Sequence, residues 1–434
     1  MKTKIAAAIA LLSSPVYAQE SATALNSGDT AWLLTATALV LFMSLPGLAL
    51  FYGGLVRAKN VLSVLVQCFA IVCVVSVLWL ICGYSLAFAP GSGFIGGWSK
   101  AFFNGVGEST LSGGVPESVF AMFQLTFAAI TPALVVGGFA ERMKFSAMLL
   151  FSTLWVMAVY VPVCHWVWAS DGWLYQRGLL DFAGGTVVHI TAGVAALVAA
   201  MQLGRRNGFP HTAMLPHNMT MTVTGAGMLW VGWFGFNGGS ALAADGNAGM
   251  AVLVTHTSAA AGALMWSAIE WFKFGKPSAL GIVTGMVAGL GTITPASGFV
   301  GPGGALVIGL TAGAVCFTAT QWLKRRMKID DSLDVFPVHG VGGILGTFAV
   351  ALFASSGLGV FSGQGYAEGM DMGRQFAVQI TGIVAVGAYT AVLSWGLLKL
   401  VDVMVGGLRV TPEEENAGLD TTQHNERGYD LQSL

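Results

Sequence analysis

Eleven long apolar stretches, separated by short polar clusters, dominate this 434-residue chain. They run over 30–54, 61–88, 117–140, 145–168, 183–203, 219–240, 250–272, 278–296, 300–323, 335–355 and 373–405. Each has the length a helix needs to cross about 30 Å of hydrocarbon. Lipid admits only helices and closed barrels, because it offers the backbone no hydrogen-bond partner. A barrel strand alternates polar and apolar residues, whereas these runs are continuous, which selects helices. Charge agrees: 9% of residues are charged, against about 25% in a soluble domain. With 55% hydrophobic residues and a mean hydropathy of +0.72, a soluble enzyme, a disordered chain and a nucleic-acid binder are excluded. Fifty-nine glycines point to closely packed helices. The net charge of −1 identifies no partner. The expected fold is an all-α polytopic membrane protein with 11 transmembrane helices.

The ends set the orientation. Residues 1–18, MKTKIAAAIALLSSPVYA, carry a basic start, a short apolar run and a small-residue site at Val16-Tyr17-Ala18. That pattern predicts a cleaved bacterial signal peptide, with the mature N-terminus outside. The loops after spans 1, 3, 5, 7 and 9 hold twelve basic residues, from Arg57 to Lys328; the opposite loops hold three, Lys100, Arg177 and Arg374. Basic loops stay cytoplasmic, so both cues place the chain in a bacterial inner (cytoplasmic) membrane with the C-terminus inside. The domains read as a signal peptide at 1–18, a membrane domain at 19–405 and a polar cytoplasmic tail at 406–434, free or docked. Cys68, Cys73, Cys82, Cys164 and Cys316 lie within apolar runs without C-x-x-C spacing and are expected to be unpaired core residues.

A repeat is visible in the histidines. His189 follows Asp181 by eight residues in DFAGGTVVH; His339 follows Asp331 by eight in DSLDVFPVH, 150 residues later. Five spans per half would invert the second copy, so spans 1–5 and 6–10 read as an inverted repeat plus an extra span 11. Eight helical residues rise about 12 Å and turn about 80°, so each Asp is not a direct partner of its own His. The aspartates are expected at helix starts and the histidines about half-way down. The aspartates read as N-caps or, for Asp181, as a buried carboxylate favouring a cation nearby. The histidines read as hydrogen-bonded core side chains or as a functional pair. Two touching imidazoles disfavour double protonation, which suits a neutral solute or one mobile proton. His165 and His256 could line a vestibule, but each alone reads as structural.

An aromatic and hydroxyl cluster accompanies them. FQLTF sets Phe123 and Phe127 one turn apart, HWVW ends on Trp168, and GWFGFNGGS carries Trp233, Phe236 and Ser240. Trp168 and Ser240 fall at one depth, with Phe127 and Phe236 slightly deeper. Aromatic faces attract cations and a hydroxyl adds an acceptor; an interfacial aromatic belt gives the same spacing.

On these residues the chain resembles the ammonium transporter family, the Amt/Mep/Rh superfamily. DFAGGTVVH, DVFPVHG, GWFGFNGGS, FYGGLVRAKN and GGFAERMKFS look like its signatures, in order along the mature chain. The resemblance implies a homotrimer with one pore per subunit and no cofactor or enzymatic activity. It implies an outer ammonium site at Trp168, Ser240 and Phe127, a gate of Phe127 over Phe236, and paired pore histidines at His189 and His339. Trp233 is expected to line the same pore, and Asp181 is the implied essential acid. Trp168 and Ser240 favour the Amt branch over an Rh-like gas channel. Leu125 and Pro337 fill positions that vary among relatives. The tail is similar to family tails that couple subunits and meet PII signalling proteins. The implied partners are therefore ammonium or ammonia, methylammonium, membrane lipid, further copies of the chain and a PII-type protein, with no nucleic acid. The implied function is ammonium recruitment, deprotonation and ammonia conduction. An ammonium sensor signalling through its tail is the alternative; 29 residues are few for a signalling domain. An intramembrane metalloenzyme would need clustered ligands such as H-E-x-x-H, which are missing here.

Overall fold

The computed structural model describes residues 24–429. The expected signal peptide, the start of the expected membrane domain and residues 430–434 lie outside the described residues. The helices follow the apolar stretches. They are α1 (Ser27–Leu55), α2 (Ala58–Phe88), α3 (Glu117–Phe139), α4 (Phe145–Trp168) and α5 (Gly185–Leu203), then α6 (Met219–Gly239). After these come α7 (Gly246–Phe274), α8 (Ala279–Ile293), α9 (Pro302–Met327), α10 (Phe336–Phe353) and α11 (Met372–Met404). Among the described residues, nine of them are long and apolar enough to cross a membrane. The other two are α6 and the shorter α8.

Apolar residues surround each helix because both neighbours and bilayer are apolar. Burial therefore separates centre from rim. Nearly every side chain of α3 from Phe120 onward is buried, and so is most of α5. Phe69 on α2, Leu264 on α7 and Val392 on α11 are 50%, 66% and 66% exposed, as lipid-facing side chains are. Cys68, Cys164 and Cys316 are buried as expected, but Cys82 is only partly buried and Cys73 is exposed, because it falls on the outer face of α2. All five are free.

The α2–α3 connection carries two small antiparallel hairpins, β1 (Gly91–Ser92) with β2 (Ile95–Gly96) and β3 (Leu111–Ser112) with β4 (Val115–Pro116). They mark one end of the bundle, shared by Trp168 and Ser240. The opposite end holds the loops after α1, α3 and α5 and the segment before α10. Here several of the basic residues are buried structural links. Arg206 donates to Glu141 at 2.9 Å and to both carboxylate oxygens of Asp330 at 2.8 and 3.0 Å. Arg57 donates to Glu141 at 3.0 Å, and Arg142 to the Asp330 carbonyl at 2.6 Å. Burial pushes both carboxyls up, but Arg206 outweighs it, with Arg57 helping at Glu141, and both lie below the usual carboxylate range.

The tail is docked at this end. Helices α12 (Pro412–Ala417), with a Thr411/Glu414 capping box, and α13 (Leu419–His424) lie against the loops. The Leu419 N–H donates to Asn60, the Ser63 N–H to Asp420, and the Asn207 N–H to Glu415, whose carboxylate also accepts from Arg409 at 2.6 Å.

Candidate functional site

The two Asp-to-His segments fold alike. Residues 181–184 and 331–334 are irregular, and each fourth position takes a positive φ, +116° at Gly184 and +62° at Asp334. The helices begin only afterwards, both with π-helical turns, Gly185–Ile190 and Phe336–Gly340. His189 and His339 therefore lie at the start of α5 and α10, not half-way down a helix begun at the aspartate. The reason is local: the left-handed residue breaks the helical path after each Asp. Such π turns recur at functional sites because they re-aim side chains. Pro337 sits in the second one, where its missing N–H costs no helical bond.

The aspartates divide in their duties. The Asp181 carboxylate accepts the N–H groups of Gly184, Gly185, Thr186 and Val187 at 2.8, 2.6, 2.7 and 3.3 Å, and the Thr186 hydroxyl. It is fully engaged in capping α5, and its backbone carbonyl accepts the Trp168 indole N–H at 2.9 Å. It does not line the cleft at Trp168. Asp331 accepts the Phe336 N–H at 2.7 Å, and its other oxygen, buried, has no partner. Burial and the neighbouring Asp334 push its carboxyl up to about 7.

The histidines meet. Their Nδ1 atoms are 3.2 Å apart and the ring planes are nearly parallel, 18° apart. Glycine makes this possible: a Cβ on Gly193 of α5 would stand 2.3 Å from the Gly340 Cα of α10. One proton between the Nδ1 atoms makes one ring the donor. Its Nε2 then accepts, while the other ring's Nε2 donates. The Nε2 of His189 is buried without a partner. The Trp233 ring stacks on His189 at 5.6 Å and donates its N–H to Thr294 at 2.9 Å.

These rings line a narrow apolar chamber with Phe236, Ile130, Leu134 and Val188. Phe51, Val287 and His339 also line a second cavity, which reaches Tyr52, Lys324 and Asp334 at the tail end. At the hairpin end a cleft is lined by Phe127, Trp168 and Ser240 together with Gln124, Phe88 and Phe182. Phe127 belongs to this cleft and Phe236 to the chamber, and their rings, 4.3 Å apart, form the partition. Trp168 meets Phe127 edge-on at 5.6 Å. The Ser240 hydroxyl donates to the Phe236 carbonyl at 2.8 Å, so its lone pairs are left to accept. Cleft, aromatic partition, histidine chamber and inner cavity thus follow one another through the bundle.

A family model described as the Ammonium Transporter Family matches residues 31–429. The chain belongs to this family. An ammonium transporter of Bacillus subtilis (strain 168) is 46% identical over 409 residues, 93% of this chain and 99% of that protein. Among solved structures, Saccharomyces cerevisiae Mep2 is 37% identical with a TM-score of 0.80, covering 90% of this chain and 91% of that one. A structure titled Sensor Amt Protein is 30% identical with a TM-score of 0.84, covering 92% and 98%. As a family member the chain is a multi-pass membrane protein.

Of the expected site residues, Trp168, Ser240 and Phe127 share one cleft, and Phe236, Trp233, His189 and His339 share the chamber. Asp181 stands behind Trp168. One cleft residue was missed: Gln124, whose buried side-chain carbonyl has no partner. It lies in FQLTF three residues before Phe127, and that i, i+3 spacing could have placed both on one face. His165 is buried against backbone carbonyls. His256 is exposed on α7 beside Trp230 and Phe234.

Proposed function

We propose that the protein takes up ammonium, binding NH4+ at an outer cleft and passing ammonia through the histidine chamber. The observation that carries this reading is the sequence of environments along one path: π faces with free acceptors, then an aromatic partition, then an apolar chamber whose polar groups are two imidazoles. Trp168 and Phe127 offer cation–π faces; the Ser240 hydroxyl and the Gln124 carbonyl accept N–H groups. Methylammonium fits the same chemistry. Beyond Phe127 and Phe236 a charge would lose its hydration without new ligands, so the proton is left at or before the partition. The Nε2 atoms of the histidine pair, one donor and one acceptor, suit a solute that both donates and accepts. Hydrated sodium and potassium find too few oxygens to replace their water. Whether the proton returns outside or crosses separately is a property of the same pair.

The hairpin end faces outside and the docked tail faces the cytoplasm, which puts the basic loops inside. The eleven helices form two inverted halves of five plus α11. The equal left-handed position and π turn before His189 and His339 support that reading. The subunits form a homotrimer in the inner membrane after removal of residues 1–18, and the tail serves regulation with a PII-type partner. A second reading, an ammonium sensor, is favoured by the structural neighbour whose title names it a sensor. Current on a solid-supported membrane after an ammonium jump separates the two. Wild type carries charge or accumulates methylammonium, and the His189→Ala/His339→Ala double variant loses the selectivity. Unchanged uptake and selectivity in that variant would remove the pair from the mechanism.

A further inference from the structure

His165, three residues before Trp168 in the last turn of α4, is fully buried and belongs to neither the chamber nor the cleft. Its Nδ1 faces the Ala87 carbonyl at 2.9 Å, and its Nε2 faces the Ser92 carbonyl at 2.7 Å. Carbonyl oxygens only accept, so each ring nitrogen must donate, and a neutral imidazole has a single N–H. Two N–H groups make the ring an imidazolium. A counter-charge is in place: a carboxylate oxygen of Asp171 lies 3.6 Å from Nε2, and the other accepts the Gly91 N–H at 2.9 Å.

We propose that His165, donating from both ring nitrogens, is a positioning residue that shapes the ammonium-recruiting cleft and sets its affinity. Ala87 precedes Phe88, which lines the cleft, and His165 precedes Trp168, which lines it too. The imidazolium thus joins two walls of the cleft, at the end of α2 and the end of α4. It also pins the β1–β2 hairpin, which the Trp166 indole holds through the Phe94 carbonyl at 2.8 Å. A side chain that cannot donate to both carbonyls leaves one of them without its N–H, so one tie breaks and the cleft loosens. Asp171 is the facing carboxylate. The hairpin over Gly91–Gly97 has no titratable side chain. On α2, Tyr84 gives its hydroxyl to Glu117, which Lys100 neutralises. Cys164 is the adjacent titratable residue on α4.

This inference rests on the cleft being the recruiting site, and two measurements keep the parts distinct. Nitrogen NMR of histidine-labelled full-length protein, assigned with His165→Gln, reads the ring directly. The expected result is one ring with both nitrogens protonated at neutral pH, missing in the variant. Ammonium-evoked current then gives KM and maximal rate. His165→Gln raises KM on the order of tenfold, the worth of one charge-assisted hydrogen bond, while the maximal rate changes little. Asp171→Asn, a partly exposed and milder change, raises KM less. A His165 ring with one N–H at neutral pH overturns the proposal, and so does a KM that is the same in wild type and both variants. If wild type gives no ammonium current, the recruitment reading fails and the positioning role falls with it, while the NMR result still decides the charge of the ring.

Discussion

Replacing Asp181 by Asn separates capping from a cation-attracting field. One carboxylate oxygen accepts the N–H groups of Gly184 and Gly185; the other accepts those of Thr186 and Val187 and the Thr186 hydroxyl. In Asp181→Asn one of these oxygens becomes an NH2 group. At least two buried N–H groups then face a donor, and each unsatisfied one costs about 1–3 kcal/mol. Loss of the negative charge at the helix start adds up to about 2 kcal/mol. The sum is roughly 2–8 kcal/mol, at a cap whose carbonyl also anchors Trp168. Thr186→Val, which removes only the hydroxyl, should cost about 1 kcal/mol. Thermal unfolding of purified protein, beside ammonium-evoked current, checks both. The expected outcome is that Asp181→Asn loses stability and transport together, with Thr186→Val intermediate in both. An Asp181→Asn protein that melts with wild type but conducts nothing would refute the capping argument and return Asp181 to a purely electrostatic role.

Three further substitutions have definite expectations. Arg206→Ala strips a buried cation from Glu141 and Asp330 and should cost about 3–5 kcal/mol, read by thermal melting. Because both carboxyls lie below their usual range, the stability they add is present at neutral pH and lost as pH falls through their folded values; the wild-type advantage over Arg206→Ala should shrink in acid. Asp331 has the opposite sign. Its carboxyl, raised to about 7 by burial and Asp334, holds a proton in the fold that the unfolded chain releases near pH 4, so it reduces stability as pH rises toward 7. Asp331→Asn should therefore melt higher than wild type at pH 8 and about equally at pH 4; equal melting at both would contradict it. Finally, Gly193→Ala sets a Cβ against Gly340 and should part the histidines and depress conduction in a folded protein. Gly227→Ala, with open space at its Cβ, is the matched control and should conduct like wild type.

Much of the candidate site is legible in the sequence alone. Phe127, Trp168, Phe236 and Ser240 fall at helix positions whose depth follows from counting residues, and they do converge. The histidine pair was legible through its repeated interval with aspartate. Other features were not. The register of α5 and α10 is not legible, because the left-handed positions at Gly184 and Asp334 delay each helix, and Asp334 carries no glycine to announce it. Gln124 does not stand out, because one amide in an apolar stretch looks like any other, whereas in the fold its oxygen has no partner. The docking of α12 and α13 depends on what a polar, acidic segment meets, which sequence does not encode.

The sequence by itself determined that the chain is a set of long apolar helices joined by short polar loops. That follows because lipid forces the backbone to satisfy itself within each helix, so continuous apolar length is enough to define an element. It also determined which residue types could handle a small cation. Tertiary structure alone decided what those residues touch. Whether Asp181 caps a helix or faces a cavity, whether two imidazoles 150 residues apart touch, and whether His165 meets one carbonyl or two all depend on contacts between distant segments. Such contacts are set by how glycine-lined helices cross, to a precision of tenths of an ångström that no periodicity encodes.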